Sequence, residues 1–374
     1  MTELNILHHS SYPPESNGHG GSKRTAQVLE LLVTNGYDYT SVDFDTIKAL
    51  KTLKWQKKVS LFLGTLLRFP FKGKNISFKR LKRVDRLKFI SKAFIAELSS
   101  IPDIYIWEST LDIHQFIAAE LKAKGSKIIG IAHNLESLVP CASQFGAIVH
   151  HKSPINRFAQ ELETLSICDE IFVISREEQW LLNLFNIGAK YLPYYPIIET
   201  RNNLLEIRKR RALRQKNNEF LILGTVLNPP TLNGTIELIK MVSEVSPANA
   251  IIHIVGYGTE RLKPHLTGYS QFQLHGGVDR SALEDILAKI DAVVLNQPYT
   301  TGSLTRIPEM LIAGIPVICN EAAARSFYNY SGVYLFSNEH ELTDFLSNPM
   351  DTPLIPKEER VYTDLFIKTL KLAV

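Results

Sequence analysis

Cysteine is scarce: three in 374 residues, Cys141, Cys168 and Cys319, odd in number and far apart. Such usage excludes a disulfide framework, offers no metal-ligand spacing, and suits a reducing compartment. Long apolar runs are also missing. The longest, "VSLFLGTLL", is interrupted by Gly and Thr and falls short of the ~20 residues that a helix needs to cross a bilayer. The opening "MTELNILHHSSYPP" has neither the basic start nor the apolar core of a signal peptide, so a cytoplasmic protein is expected. No Ser-His-Asp order and no phosphate-binding P-loop appears either, which argues against hydrolase, metalloenzyme and kinase chemistry. No metal and no tightly held cofactor is expected.

What the chain has is apolar residues in short runs, 45% of the total, enough to fill two cores at this length. Its charge is unevenly spread. The net of +4 conceals a segment, Lys48 to Lys92, that carries 15 of the 42 Lys and Arg against a single acid, Asp85. The rest of the chain is acidic. Within the segment "LKTLKWQKKVSLFLGTLLRFPF" interleaves bulky apolar residues with lysines, and "FKRLKRVDRLKFISKAF" reads as a basic amphipathic helix. Apolar residues beside so many cations fit an anionic membrane surface better than nucleic acid, for which no binding motif is present. The expectation is peripheral attachment to the inner face of the membrane, with no nucleic-acid partner.

Candidate buried strands recur between helix-length segments: "LNIL", "YTSVDF", "DIYIW", "KIIGIA" and "EIFVIS", then "EFLILG", "AIIHIVG", "FQLHG", "AVVLN" and "PVICN". The alternation predicts right-handed βαβ units and an α/β fold of two Rossmann-like parallel-sheet domains facing across a cleft. The charged stretch "RNNLLEIRKRRALRQKNN" reads as the linker, which divides the chain into 1–199, containing the basic segment 48–92, and 200–355, with a terminal helix over 356–374 packing back on the first domain. In open parallel sheets ligands sit beyond the carboxyl ends of the strands. The residues there include His8, His9, Glu108, His133, Asn134, Glu177, Thr225 and Asn296.

One loop stands out, "TTGSLTRIPEMLIAGIP" from Thr300 to Pro316. Pro308 suits a first helical turn, Glu309 lies in that turn, and Gly314 with Pro316 marks the stop. Arg306 stands just before backbone N–H groups that a short helix leaves unpaired.

Four stretches together resemble the retaining glycosyltransferases of family 4, which have the two-domain GT-B fold: "YPPESNGHGGSKRTAQVLELLVTNGYDYTSV", "KIIGIAHNLESL", "ICDEIFVISREEQWLL" and "VDRSALEDILAKIDAVVLNQPYTTGSLTRIPEMLIAGIPVICNE". The resemblance implies transfer of a sugar from a nucleotide diphosphate sugar, as co-substrate, to a hydroxyl of a glycan or lipid-linked acceptor, as in cell-surface polysaccharide synthesis. It implies donor binding by Gly20, Gly21, Thr225, Gly302, Ser303, Leu304, Thr305 and Glu309, with Glu309 on the ribose. His133 and Arg306 would be catalytic, and Glu108 and Asn134 would lie on the acceptor side. The chain departs from the family where Thr301 replaces the first of two glutamates eight positions apart, and where Thr225 and Asn233 replace an Arg and a Lys that hold the diphosphate. Arg306 is the candidate replacement cation, since a guanidinium binds phosphate oxygens in pairs. These departures also suit a non-catalytic nucleotide-sugar or glycan-binding protein, or, less well, a nucleotide-sugar epimerase on the same fold.

Overall fold

The computed structural model describes residues 4–372 apart from 17, 43–58, 61, 68–77, 109–112, 140–153, 246 and 248. Most of the lysine- and leucine-rich part of segment 48–92, and Cys141, therefore lie outside the described residues. The short apolar runs do form strands, and every pairing is parallel. The described strands form two six-stranded sheets. The chain divides into two units: residues 1–13, 28–192 and 360–374 form the first, and residues 14–27 and 193–359 the second.

In the first unit β1 (Ile6–His9) lies between β2 (Tyr39–Val42) and β3 (Ile104–Trp107). The sheet continues through β4 (Lys127–Ala132), β5 (Glu170–Val173) and β6 (Ala189–Tyr191). β1 and β3 are buried at every position, as parallel strands covered on both faces must be. One face packs Ile6, Val28, Leu32, Ile106 and Phe172 against Phe366 and Leu370 of the terminal helix Arg360–Lys371. The Phe172 and Phe366 rings meet edge to face at 5.2 Å.

In the second unit β7 (Glu219–Leu223) lies between β8 (Ile251–Val255) and β10 (Ala292–Leu295). β9 (Phe272–Gly276) closes one edge, while β11 (Val317–Cys319) and β12 (Val333–Leu335) complete the other. The backbone turns after β7 and β8 approach closely: a Cβ at Gly256, whose φ is +145°, would lie 1.9 Å from the Gly224 carbonyl oxygen. Only glycine fits there. The helix Arg306–Ile312 stops as its sequence predicts: Gly314 takes a φ of +73°, and Ile315 N–H donates to the Met310 carbonyl at 2.9 Å, the hydrogen bond that closes a left-handed helix end. Burial pushes the free thiols of Cys168 and Cys319 up to about 12, so neither is a nucleophile at neutral pH.

Two features differ from the sequence reading. β6 and β12 are strands of three residues each, too short for a period of two to register. The supposed linker is instead the helix Ile198–Arg211, with Leu204, Ile207 and Arg211 buried. Two of its arginines are spent on backbone carbonyls. Arg211 donates from Nε to the Gly314 carbonyl at 3.1 Å and from Nη1 to the carbonyls of Leu287 and Ile290 at 2.7 Å each, while Arg208 reaches Leu311 at 3.1 Å and Pro353 at 2.5 Å. The charge that looked like a linker satisfies the carbonyl ends of neighbouring helices, which would otherwise be buried without partners.

Arg211→Leu leaves three buried carbonyls without donors and should lower stability by about 2–4 kcal/mol in urea unfolding. Lys209→Ala, which removes only the exposed Lys209–Glu206 pair, should cost under about 0.5 kcal/mol.

Candidate functional site

In a doubly wound sheet the crevice for ligands opens where the strand order reverses. That point lies between β7 and β10 in the second unit and between β1 and β3 in the first. Each is occupied by a cluster of ionisable side chains.

In the second unit the loop Thr300–Thr305 leads into the helix Arg306–Ile312. Glu309 is 4% exposed, and each oxygen of its carboxylate accepts a hydrogen bond: Lys23 Nζ donates to Oε2 at 2.6 Å and Tyr194 Oη to Oε1 at 2.7 Å. Lys23 comes from the helix Gly20–Thr34, whose first residue, Gly20, abuts Thr305; a Cβ there would lie 3.4 Å from Thr305 Oγ1. Gly21 N–H donates to His19 Nδ1 at 3.1 Å. Arg306 turns back toward the end of β7 and donates to the Leu223 carbonyl. Its guanidinium fills the space beside Gly224, where a Cβ would lie 2.5 Å from Nη1, next to the half-buried Thr225. Burial pushes its pKa down to about 10, with Glu309 pulling it back up, so it stays charged at neutral pH.

Arg325, buried, holds the loop itself. Its Nε donates to the Gly302 carbonyl at 2.6 Å, Nη2 to Thr301 at 3.0 Å, and Nη1 to Ala322. Gly302 has a φ of +80°. Leu304 packs on the core of the unit, and the Ser303 hydroxyl is buried with no hydrogen-bond partner among the described residues.

In the first unit Glu108 follows β3 and is 1% exposed. Its Oε1 meets His8 Nε2 at 2.6 Å and its Oε2 meets His133 Nε2 at 2.8 Å. Burial alone would push this carboxyl up, but the two imidazoles hold it well below the usual carboxylate range. His8 is oriented from its other nitrogen by Ser41 Oγ at 2.8 Å, and Tyr12 stacks on His133 with centroids 5.2 Å apart.

Beyond His133 the chain enters a short turn, Glu136–Leu138, tied down by two buried glutamates. Glu161 accepts from the N–H groups of Glu136 and Ser137 at 2.9 and 3.1 Å, and Glu178 from that of Leu135 at 3.0 Å. The Glu136 carboxyl is pushed up to about 7 by burial and by Glu161 and Glu178, with an Asn134 hydrogen bond opposing. Tyr12 is in turn raised to about 12 by burial and by Glu136.

The structure thus brings Gly20, Thr305, Arg306 and Glu309 together in one unit, and Glu108, His133 and Asn134 in the other. Glu177 is exposed in the first turn of the helix Arg176–Leu184, and its neighbour Glu178 makes the buried contact. Sequence reasoning missed Lys23, Tyr194 and Arg325. For Lys23 a signal existed, because a cation early in a helix opposes the dipole and calls for a local partner. Among the described residues no group of three or more His, Cys, Asp or Glu is arranged to hold a metal.

No family model matches the chain, and no curated protein sequence does either. Its fold, however, has clear counterparts. Sucrose-phosphate synthase from Thermosynechococcus elongatus is similar over 91% of this chain and 88% of its own, with a TM-score of 0.57 at 15% identity. HepE from Anabaena, solved in complex with UDP and glucose, is similar over 98% of this chain and 99% of its own, with a TM-score of 0.57 at 10% identity. WaaG, a glycosyltransferase involved in lipopolysaccharide biosynthesis, is similar over 91% and 89%, with a TM-score of 0.54 at 12% identity. The fold is that of the GT-B glycosyltransferases, two Rossmann-like units in one chain.

The raised Glu136 carboxyl has a consequence for stability. The folded protein keeps this proton to about pH 7, whereas an ordinary carboxyl releases it near 4.5, so stability drawn from this group falls as pH rises between those values. Glu136→Gln should stabilise the protein by about 1–2 kcal/mol at pH 8 and hardly at all at pH 4. Urea titrations at the two pH values check this, and an equal effect at both would remove ionisation as the cause.

Proposed function

We propose that the protein is a retaining glycosyltransferase that moves a sugar from a nucleotide diphosphate sugar to a hydroxyl of a glycan or lipid-linked acceptor in cell-surface glycan synthesis. The observation that carries this reading is the buried Glu309 carboxylate at the head of its helix, held by two donors beside the loop Thr300–Thr305. HepE in complex with UDP-glucose supports a nucleotide-sugar donor, and the printed role of WaaG supports a surface glycan as product. Glu309 retains lone pairs for ribose hydroxyls, since a carboxylate offers about four acceptor sites. Breaking the donor's glycosidic bond leaves charge on the diphosphate and a cationic sugar ring, so placed charge matters more than a strong nucleophile. Arg306 supplies positive charge at the end of β7. Gly20 and Gly21 let the backbone approach the donor closely, and His133, steadied by Glu108, serves the sugar beside Asn134. The leaving phosphate takes the acceptor's proton, and no metal or cofactor enters the scheme.

Transfer and hydrolysis assayed over a panel of nucleotide sugars test the proposal directly. In the donor that is turned over, Glu309→Ala should weaken nucleotide binding by about 1–3 kcal/mol, and Arg306→Ala should lower kcat more than affinity. Unchanged nucleotide affinity in the Glu309 variant would take that residue out of the site. The same panel decides the second reading, a binding protein without turnover, which Thr301, Thr225 and Asn233 favour: a donor bound but never cleaved would establish it.

The proposal includes attachment to an anionic membrane surface at the cytoplasmic face. Among the described residues Phe62, Leu63, Leu66 and Leu67 are exposed on helical residues 62–67. They lie beside the basic helix Phe78–Ala96, where Lys82 Nζ sits 5.1 Å over the Phe62 ring and the Thr65 hydroxyl donates to Asp85 at 2.7 Å. Exposed leucines enter a lipid interface while each nearby cation adds about 1 kcal/mol. No described helix is long and apolar enough to cross a membrane. Sedimentation with anionic vesicles at low salt should bring the protein down. Replacing Lys82, Arg86, Lys88 and Lys92 by Glu should release it without changing nucleotide affinity; equal binding to neutral vesicles would overturn the electrostatic attachment.

A further inference from the structure

Around the loop Thr300–Thr305 the described arginines are committed to backbone carbonyls. A nucleoside diphosphate brings a charge of about −2 or more to its site. Of the cations around the loop, Arg325 spends its donors on the carbonyls of Thr301, Gly302 and Ala322, and Arg306 is drawn to the Leu223 carbonyl. Lys23 differs. Its ammonium has three donors, and among the described residues only one is used, toward Glu309 at 2.6 Å. Its side chain remains 19% exposed, which keeps the ammonium within reach of a ligand. It lies on the helix Gly20–Thr34, one turn after Gly20, which itself abuts Thr305 at the end of the loop.

We infer that Lys23 is a phosphate-binding residue of the donor site, held in place by Glu309 until a ligand arrives; this rests on the glycosyltransferase reading. The pair forms a charge-matched acceptor for molecules that carry both phosphate and vicinal hydroxyls. Such a ligand gives Glu309 hydroxyl donors and Lys23 anionic oxygens, so neither charge is left without a partner. A ligand with hydroxyls alone leaves Lys23 on Glu309 and gains nothing from the ammonium. A ligand with phosphate alone draws Lys23 away and strands the carboxylate, whose remaining partner is Tyr194 at 2.7 Å. The selectivity therefore comes from the cost of unpairing, which for a buried charge exceeds the value of any one new hydrogen bond.

Calorimetric titration of the full chain with UDP, GDP and ADP, each beside its nucleoside, tests the assignment. Lys23→Gln should weaken the nucleoside diphosphate that the wild type binds by about 30-fold or more, leave the corresponding nucleoside within about two-fold, and flatten the salt dependence of diphosphate binding. Lys23→Arg, which keeps the charge, should recover most of the loss, and this separates a missing phosphate contact from a damaged fold. Equal weakening of nucleoside and diphosphate by Lys23→Gln would show that Lys23 only orients Glu309, and unchanged diphosphate affinity would remove it from the site; either result overturns the inference while leaving the glycosyltransferase reading intact. A wild-type protein that binds none of the three diphosphates, nor any donor of the sugar panel, brings down that reading instead.

Discussion

Parallel pairing is the constraint on which the rest depends. Parallel neighbours cannot be joined by a tight turn, so each strand must send the chain across a covering helix and begin again at the same edge. All carboxyl ends of a sheet then lie along one edge, and all amino ends along the other. Both sheets obey this without exception among the described strands. The result is that residues as distant in sequence as His8 and Glu108, or Leu223 and Arg306, meet at a strand terminus.

The edge comes with a difficulty that the protein solves with arginine. Loops and helix ends near a sheet expose carbonyl oxygens that the surrounding helices then bury, and each needs a donor. Arg208 and Arg211 serve the ends of neighbouring helices, and Arg325 serves the Thr301–Gly302 backbone. A guanidinium suits the task because it presents several donors in one plane and never loses its charge at physiological pH. Arg306 plays a related part at the end of β7, where the backbone is too crowded for any residue but glycine at position 256. The arginines nearest the loop are thus structural. This is why a single lysine with unused donors carries so much of the proposed phosphate binding.

Two carboxyl groups of the first unit are treated in opposite ways. Glu108 lies between two imidazoles and is held ionised, while Glu136 faces Glu161 and Glu178 and is held protonated toward neutrality. Glu161 and Glu178 accept backbone N–H groups from the turn, two and one respectively. Glu136 has only Asn134 to offset its neighbours. Around His133 the first unit therefore places one carboxylate held ionised and one carboxyl raised toward neutral pH.

The sequence by itself determined the two-sheet α/β architecture, because buried parallel strands need uninterrupted apolar runs and these are visible without any structure. It also marked the strand ends, so Glu108 and His133 could be named there, while Glu309 was named from its place in a first helical turn; and it marked the helix stop at Gly314, where a left-handed residue has a chemical signature. What it could not display was partnership. "RNNLLEIRKRRALRQKNN" reads as a linker because charge in one dimension looks the same whether a guanidinium meets water or a buried carbonyl. Three-residue strands at sheet edges carry no period to detect. Lys23 and Tyr194 meet Glu309 across separations of 286 and 115 residues, and only tertiary folding brings such groups within hydrogen-bonding range. The fold was legible because it rests on local pattern, whereas the charge state and occupancy of each site residue depend on neighbours that the chain order does not reveal.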